Sequence, residues 1–216
     1  MSDWIEHALL QDAGVRHGFG TRTSPPLRHV RRPVQVHGAL VVCADSESAL
    51  GEADASIATR PGVAVGVVTA DCVPVLVAAG SCAVAAVHAG WRGLARGVIP
   101  RAVDALRKAA PESRLVAAIG PCIGPCCYEV DAPVIDAMRE RFGAAAEAAI
   151  RPRRPGHALL DLRALASEAL RSAGVGAREV GAVETCTRCD AVRFHSFRRD
   201  GAEAGRLLSW IEVPAR

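Results

Sequence analysis

Residues 63–94, VAVGVVTADCVPVLVAAGSCAVAAVHAGWRGL, decide the fold. Two continuous apolar runs, 63–68 and 73–78, carry β-branched residues, and a third spans 82–87. Runs of that length and composition suit strands covered on both faces. They end in short polar turns. One turn carries Asp71 and Cys72, and the other carries His88, Trp91 and Arg92. Gly90 and Gly93 bracket a tight turn, beyond which Leu94, Val98, Ala102, Ala105, Leu106 and Ala109 recur at helical spacing. Pro100 lies inside that pattern, so it either kinks the helix or occupies its first turn. A thiol and an imidazole are thus delivered from the ends of neighbouring strands, beside a helix start.

Working outward, the spacing predicts a short strand or helical turn over 4–10, a strand over 15–21 and a proline-broken connection over 22–33. Residues 39–44 read as a strand and 51–56 as a turn. Residues 115–119 form a short buried strand that runs into a glycine- and cysteine-containing loop, 120–128. A helix is expected over 132–142. Asp161 caps a second helix that buries Leu162, Leu165, Ala166, Ala169 and Leu170 and stops at Gly174. Residues 151–155 (RPRRP) read as a charged loop, 180–183 as a strand, and 207–213 as a strand near a sheet edge. There is no internal repeat and no linker that would split the 216 residues.

Half of the chain is apolar but only 4% is aromatic, so the core is built from Val, Ala, Leu and Ile. That favours a sheet-rich interior with helices packed on it, in one domain. The net charge of +3 is small, and with four Phe and one Tyr there is no basic stripe with interleaved aromatics for nucleic acid. No signal peptide is visible, and no apolar run has the roughly 18 residues of a membrane helix. The expectation is a cytoplasmic protein whose eight cysteines are thiols or ligands.

Cys72, His88 and His37 are the first candidate site. A thiolate and two imidazoles suit zinc or copper, and three protein ligands leave a fourth position open for water or substrate. They equally suit a buried cysteine with two hydrogen-bonded histidines, or a Cys72–His88 nucleophile pair without metal. Asp71 either orients a histidine or caps a turn. Gly90, Trp91, Arg92 and Gly93 read as an anion corner for phosphate or as a tight turn with Trp91 in the core. Cys122, Cys126, Cys127, Cys186 and Cys189 offer a second zinc or iron–sulfur site, or small buried thiols. Residues 194–206, with Arg198 and Arg199, either clamp an anionic substrate or form a solvated loop.

These motifs resemble the YfiH-like laccase-domain family, whose members are variously described as polyphenol oxidases, purine nucleoside phosphorylases and the peptidoglycan editing factor. The matching pieces are VHG at 36–38, EADA at 52–55, TADCVPVL at 69–76, AAVHAGWRGL at 85–94 and AIGPCIGPCCYEV at 118–130. LDL at 160–162, CT at 186–187 and FHSFRRDG…GR at 194–206 follow in family order. The resemblance covers residue 18 to the C-terminus. It implies a single-domain α/β (α+β) fold, with a mixed β-sheet core flanked by helices, of the cysteine-hydrolase-like, cytotoxic-necrotizing-factor type. It implies a metal site of His37, Cys72 and His88, assigned as zinc and sometimes as copper. It also implies phosphorolysis of adenosine, inosine and methylthioadenosine, with adenosine deamination as a side activity, in a monomer or homodimer.

In that reading Arg92 and the Gly90 corner hold phosphate, with Asp71, Arg198 and Arg199 as second-rank candidates. Alternatives are a Cys–His amidase editing peptidoglycan precursors, a copper-dependent polyphenol oxidase, and a metal-binding protein without turnover. Seven scattered histidines do not supply the ligand set of a multicopper laccase. Two departures stand out. The segment before VHG is shorter than the family's, so one wall of the site is expected to be missing or rebuilt. His195 and Phe197 stand where the family tends to have an aromatic residue and a tyrosine.

Overall fold

The apolar runs of residues 63–87 become three strands covered on both faces, as continuous hydrophobic runs require. The computed structural model of the chain describes residues 4–215. Its strands are β1 (Arg16–Phe19), β2 (Val41–Cys43), β3 (Ala55–Ala58), β4 (Ala64–Thr69), β5 (Val73–Ala79) and β6 (Ala83–Ala89), followed by β7 (Leu115–Ile119), β8 (Glu129–Asp131), β9 (Ile150–Arg154), β10 (His157–Leu160), β11 (Val180–Ala182) and β12 (Leu207–Glu212). The α-helices are α1 (Ala8–Asp12), α2 (Trp91–Ala95), α3 (Val98–Ala109), α4 (Ala132–Phe142), α5 (Ala144–Ala149), α6 (Leu162–Ser172) and α7 (Phe197–Asp200).

A six-stranded mixed sheet, in the order β11-β7-β5-β6-β3-β2, forms the centre. The outer pairs β11/β7 and β2/β3 are parallel, and the inner pairs are antiparallel. The two-residue period of a strand sorts its side chains between two layers. Val73, Val75 and Val77 of β5 join Ala85 and Val87 of β6 against Val98, Ile99, Ala102, Val103 and Leu106 of α3 and Leu162, Leu165 and Ala166 of α6. Leu76, Ala78, Val84 and Ala86 face the other way, onto Phe19 of β1, Val65 and Val67 of β4 and Ile211 of β12. Those three strands form a second, antiparallel sheet in the order β1-β12-β4. The result is helices on a mixed sheet on a smaller sheet, the mixed α/β class that the sequence predicts.

Several expectations are corrected. The predicted helix from Leu94 to Ala109 divides at Gly97, whose φ of 77° breaks the run and starts α3, with Pro100 in the first turn of α3. The predicted turn over 51–56 gives way to β3 at Ala55. The charged loop 151–155 is largely strand β9, whose last four residues are exposed and so carry no hydrophobic pattern. Strand β12 is not near an edge: it lies between β1 and β4. Residues 4–10 yield the start of α1, preceded by a bridge from Ile5 to Phe19. Helix α6 matches its expected cap, with Ala164 N–H donating to the Asp161 carboxylate at 3.0 Å.

The pairing order brings distant segments to one end of the central sheet. Cys72 immediately precedes β5, and His88 lies at the end of β6, opposite Pro74. Beside β6 begins β3, preceded by Asp54, and next to it β2, preceded by the loop that carries His37.

Candidate active site

Asp54 organises this end of the sheet. It is fully buried. Its carboxylate accepts hydrogen bonds from the backbone N–H groups of Val36 (3.2 Å), His37 (2.9 Å) and Gly38 (2.6 Å), so the 36–38 loop is wrapped around one side chain. The same carboxylate meets His88 Nδ1 at 2.7 Å. Burial alone would raise the Asp54 pKa, but the bonds from His88 and the loop amides outweigh it and bring it below the ordinary value. With Nδ1 engaged, His88 keeps Nε2 for a ligand, the arrangement in which a carboxylate fixes the tautomer of a metal-binding imidazole.

The three sequence-predicted ligands converge. The donor atoms of His37, Cys72 and His88 all lie within 4.8 Å of one another. Cys72 Sγ is 4.0 Å from His37 Nε2, and the two imidazole centroids are 4.8 Å apart at 79°. A tetrahedral ion with bonds of about 2.0–2.3 Å holds its donors about 3.3–3.6 Å apart, so this set fits one ion after a small contraction. Gly90 leaves the room. A Cβ there would come within 3.1 Å of Cys72 Sγ and 3.2 Å of His37 Cδ2. His88 is buried, Cys72 half-buried and His37 exposed, so the cluster opens to solvent on the His37 side. Burial pushes the Cys72 thiol up, but the imidazoles of His37 and His88 outweigh it and bring it down to about 7. Burial likewise pushes His88 down, and Asp54 and Cys72 lift it to about 9.

Among the described residues, the two non-glycine residues with positive φ are His37 (56°) and Asp71 (91°), and both border this cluster. Such backbone persists only where its surroundings hold it. Asp71 is held by Thr187 Oγ1 at 2.6 Å, Ser196 Oγ at 3.0 Å and Arg198 N–H at 2.6 Å. It therefore orients no histidine. It fastens the C-terminal segment beside Cys72, and the histidine partner is Asp54.

A cavity of about 570 Å³ opens over the cluster. His37, Cys72 and His88 line it together with the aromatic rings of Trp91, Tyr128 and Phe197 and the guanidinium groups of Arg92, Arg198 and Arg206. Trp91 is both a cavity residue and packed against the core, with Arg92 stacked 4.4 Å from its ring centroid. Arg198 lies over Tyr128 and donates to the Glu129 carbonyl at 2.9 Å. Burial pushes the Tyr128 phenol up, so it stays protonated. Pro33 and Gln35, from the short segment before His37, supply another wall, with Gln35 bonded to both backbone groups of Val68. Arg199 is outside the cavity lining. Its guanidinium is committed to Asp200 and to the carbonyls of Thr187, Arg188 and Phe194.

Sequence reasoning misses Asp54, Tyr128 and Phe197 as site residues, whereas Arg206 is the third arginine of the 194–206 segment read as an anion clamp. For Asp54 the available signal was a single acid between alanines immediately before an apolar strand.

This mixed α/β fold, with a Cys/His donor set under an aromatic and cationic cavity, defines a domain with a cluster able to hold a metal ion. The family described as multi-copper polyphenol oxidoreductase laccase matches residues 16–214, and the chain belongs to this YfiH-type, laccase-like family. It is 42% identical over 181 residues to the purine nucleoside phosphorylase PA4543 of Pseudomonas aeruginosa, covering 82% of this chain and 72% of that one. It is 34% identical over 223 residues to adenosine deaminase RL5 from an unknown prokaryotic organism, covering 98% and 85%. The crystal structure of YlmD from Geobacillus stearothermophilus superposes with a TM-score of 0.85 at 26% identity, covering 99% of this chain and 100% of that one. The protein is accordingly an enzyme. Among the described residues, no helix is long and apolar enough to cross a membrane.

Proposed function

We infer that the protein is a zinc-dependent purine nucleoside phosphorylase that takes adenosine, inosine and methylthioadenosine with phosphate, and that it also deaminates adenosine. One observation carries this reading: the His37–Cys72–His88 donor set shares a single cavity with three aromatic faces and three guanidinium groups. A flat purine and a phosphate need those two kinds of wall. The volume suits a small ligand, since such sites span about 300–1,000 Å³. The family's multi-copper description has less support here: among the described residues, this trio is the one histidine-containing group able to hold a metal. When bound, zinc supplies Lewis-acid polarisation and lowers the pKa of water to about 7.

The chain's own residues do the remaining work. Tyr128, Phe197 and Trp91 receive the base on apolar faces and exclude water around it. Arg92, Arg198 and Arg206 bind the incoming phosphate, for which a guanidinium fork is well shaped. In phosphorolysis a phosphate oxygen bonds to the ribose C1′, the C1′–N9 bond breaks, and the purine leaves with its electron pair and takes up a proton. The test is to supply zinc-replete protein with adenosine and phosphate and to measure adenine and ribose 1-phosphate. Absence of ribose 1-phosphate overturns the reading and favours a binding role. Inosine appearing without phosphate reports the deaminase activity separately.

A second reading draws on the same atoms. The Cys72 thiol, brought to about 7 beside His37 and His88, has the character of a Cys–His nucleophile, as an amidase acting on a peptidoglycan precursor would need. Rapid alkylation of Cys72 in protein as purified, with no zinc content, supports this reading. Alkylation only after chelation supports the metal enzyme.

A further inference from the structure

A second group of side chains converges away from the Cys72 cluster. Cys126 and Cys127 lie in the loop between β7 and β8, and Cys186 and Cys189 lie between β11 and α7. Their four Sγ atoms all lie within 4.8 Å of one another, with Cys127–Cys189 at 3.3 Å and Cys126–Cys189 at 3.6 Å. Four thiolates around one zinc ion, with Zn–S of about 2.3 Å, stand about 3.8 Å apart. A disulfide would need about 2.05 Å, and all four cysteines are free. An iron–sulfur cluster spreads its thiolates over several iron atoms, and so wants a wider cage than this one.

The surroundings suit thiolates. Gly124 N–H donates to Cys186 Sγ at 3.2 Å, and Arg188 Nη1 donates to Cys127 Sγ at 3.4 Å. Gly124 also leaves the necessary room, since a Cβ there would come within 3.2 Å of the Cys186 Cβ and 3.3 Å of Cys126 Sγ. The two loops are already in register through a parallel bridge between Cys122 and Cys186 and a Thr187 N–H bond to the Cys122 carbonyl at 3.0 Å. Cys122 itself is excluded from the group: it is buried and turned to Arg163. We propose that Cys126, Cys127, Cys186 and Cys189 bind one zinc ion in a closed tetrathiolate shell, distinct from the His37–Cys72–His88 site.

Four protein ligands leave no open position, so this ion is structural and not catalytic. Its effect falls on the cavity nonetheless. The ion ties the loop that ends at Tyr128 to the segment that carries Thr187, Ser196 and Arg198, the three donors to Asp71. Loading it fixes two cavity walls against each other.

The experiment reconstitutes the metal-free full chain with zinc, and separately with cobalt(II), and compares the wild type with two double variants. The expected result is about two zinc per wild-type chain and about one in His37→Ala/Cys72→Ala. The cobalt form of that variant keeps tetrahedral d–d bands and strong thiolate-to-cobalt charge transfer. Cys186→Ser/Cys189→Ser loses about one equivalent and that spectrum. Should this last variant fail to fold, alkylation of the wild type decides: the four cysteines are protected together by zinc and released together by a chelator. The proposal is overturned by a single zinc that vanishes in His37→Ala/Cys72→Ala, by iron with inorganic sulfide in the purified protein, by a disulfide to Cys189, or by alkylation indifferent to zinc.

Discussion

Asp54 Oδ1 meets His88 Nδ1 at 2.7 Å and accepts from the His37 N–H at 2.9 Å, so one carboxylate oxygen sets the position of two of the three candidate ligands. Asp54→Asn tests that dependence. An amide keeps the shape but offers one acceptor where four donors converge, and it no longer favours the His88 tautomer with Nε2 free. Loss of such an outer partner typically costs about 10–100-fold in metal affinity. Competition against a chromogenic chelator should show a fall of that size, and a variant that holds zinc like the wild type would remove Asp54 from the site.

Gly90→Ala isolates the steric requirement. The φ of Gly90 is −71°, which alanine adopts without strain, so the backbone tolerates the change. The added methyl group meets Cys72 Sγ and His37 Cδ2. Zinc affinity should fall by at least about tenfold, equivalent to about 1.4 kcal/mol, while the melting temperature of the metal-free protein stays near that of wild type. A parallel loss of both would mean that Gly90 serves the fold and not the site.

Strands β4, β5, β6 and β7 were legible because each carries a continuous apolar run, and Cys72 and His88 were legible because they lie at the ends of such runs. Strand β9 was not, because residues 151–154 are three arginines and a proline, all exposed. The position of β12 was hidden for a different reason. Its partners β1 and β4 come from far earlier in the chain, and a strand of Leu, Trp and Ile reads alike at an edge or a centre. Asp54 could not be read as a ligand-orienting residue because its role depends on the return of the 36–38 loop and on the register of β3 with β6. Arg198 and Arg199 are adjacent and chemically identical, and only the path of α7 sends one to the cavity and the other to backbone carbonyls.

That divergence is itself testable. Arg198→Ala removes a cavity guanidinium but leaves the backbone N–H that Asp71 uses, so the KM for phosphate should rise about tenfold or more. Stability should fall less than in Arg199→Ala, because what is lost is one exposed hydrogen bond to the Glu129 carbonyl and the contact over Tyr128. Arg199→Ala strands the carbonyls of Thr187, Arg188 and Phe194, and charged hydrogen bonds of this kind contribute on the order of 2 kcal/mol. Its unfolding temperature should drop while the KM of the remaining folded enzyme stays close to wild type. Reversed outcomes would exchange the two roles.

Asp71→Ala carries a larger expected cost. It leaves the buried hydroxyls of Thr187 and Ser196 and the Arg198 N–H without their acceptor, and it puts alanine at a φ of 91°. Unsatisfied buried donors cost about 1–3 kcal/mol each, and at this chain length each kcal/mol moves Tm by about 2–4 °C. A fall of roughly 10 °C is expected. Asp71→Asn keeps one acceptor and a residue tolerant of positive φ, so it should lie between the wild type and Asp71→Ala.

In metal-free protein the Cys72 thiol is the group to titrate. Its pKa is brought from 9.0 to about 7 because the imidazoles of His37 and His88 favour the anion more than burial disfavours it. The thiolate is the reacting form, so alkylation by iodoacetamide should be slow below pH 7 and rise through about pH 7, well before an ordinary thiol responds. Removing an imidazole leaves the burial effect less opposed. His37→Ala should therefore shift the rise to higher pH, and His88→Ala should shift it at least as far, since His88 holds its own raised pKa through Asp54. Mass spectrometry of the Cys72 peptide across pH 5–10 reads the midpoint directly. A midpoint near 9 in the wild type would mean that the imidazoles do not stabilise this thiolate.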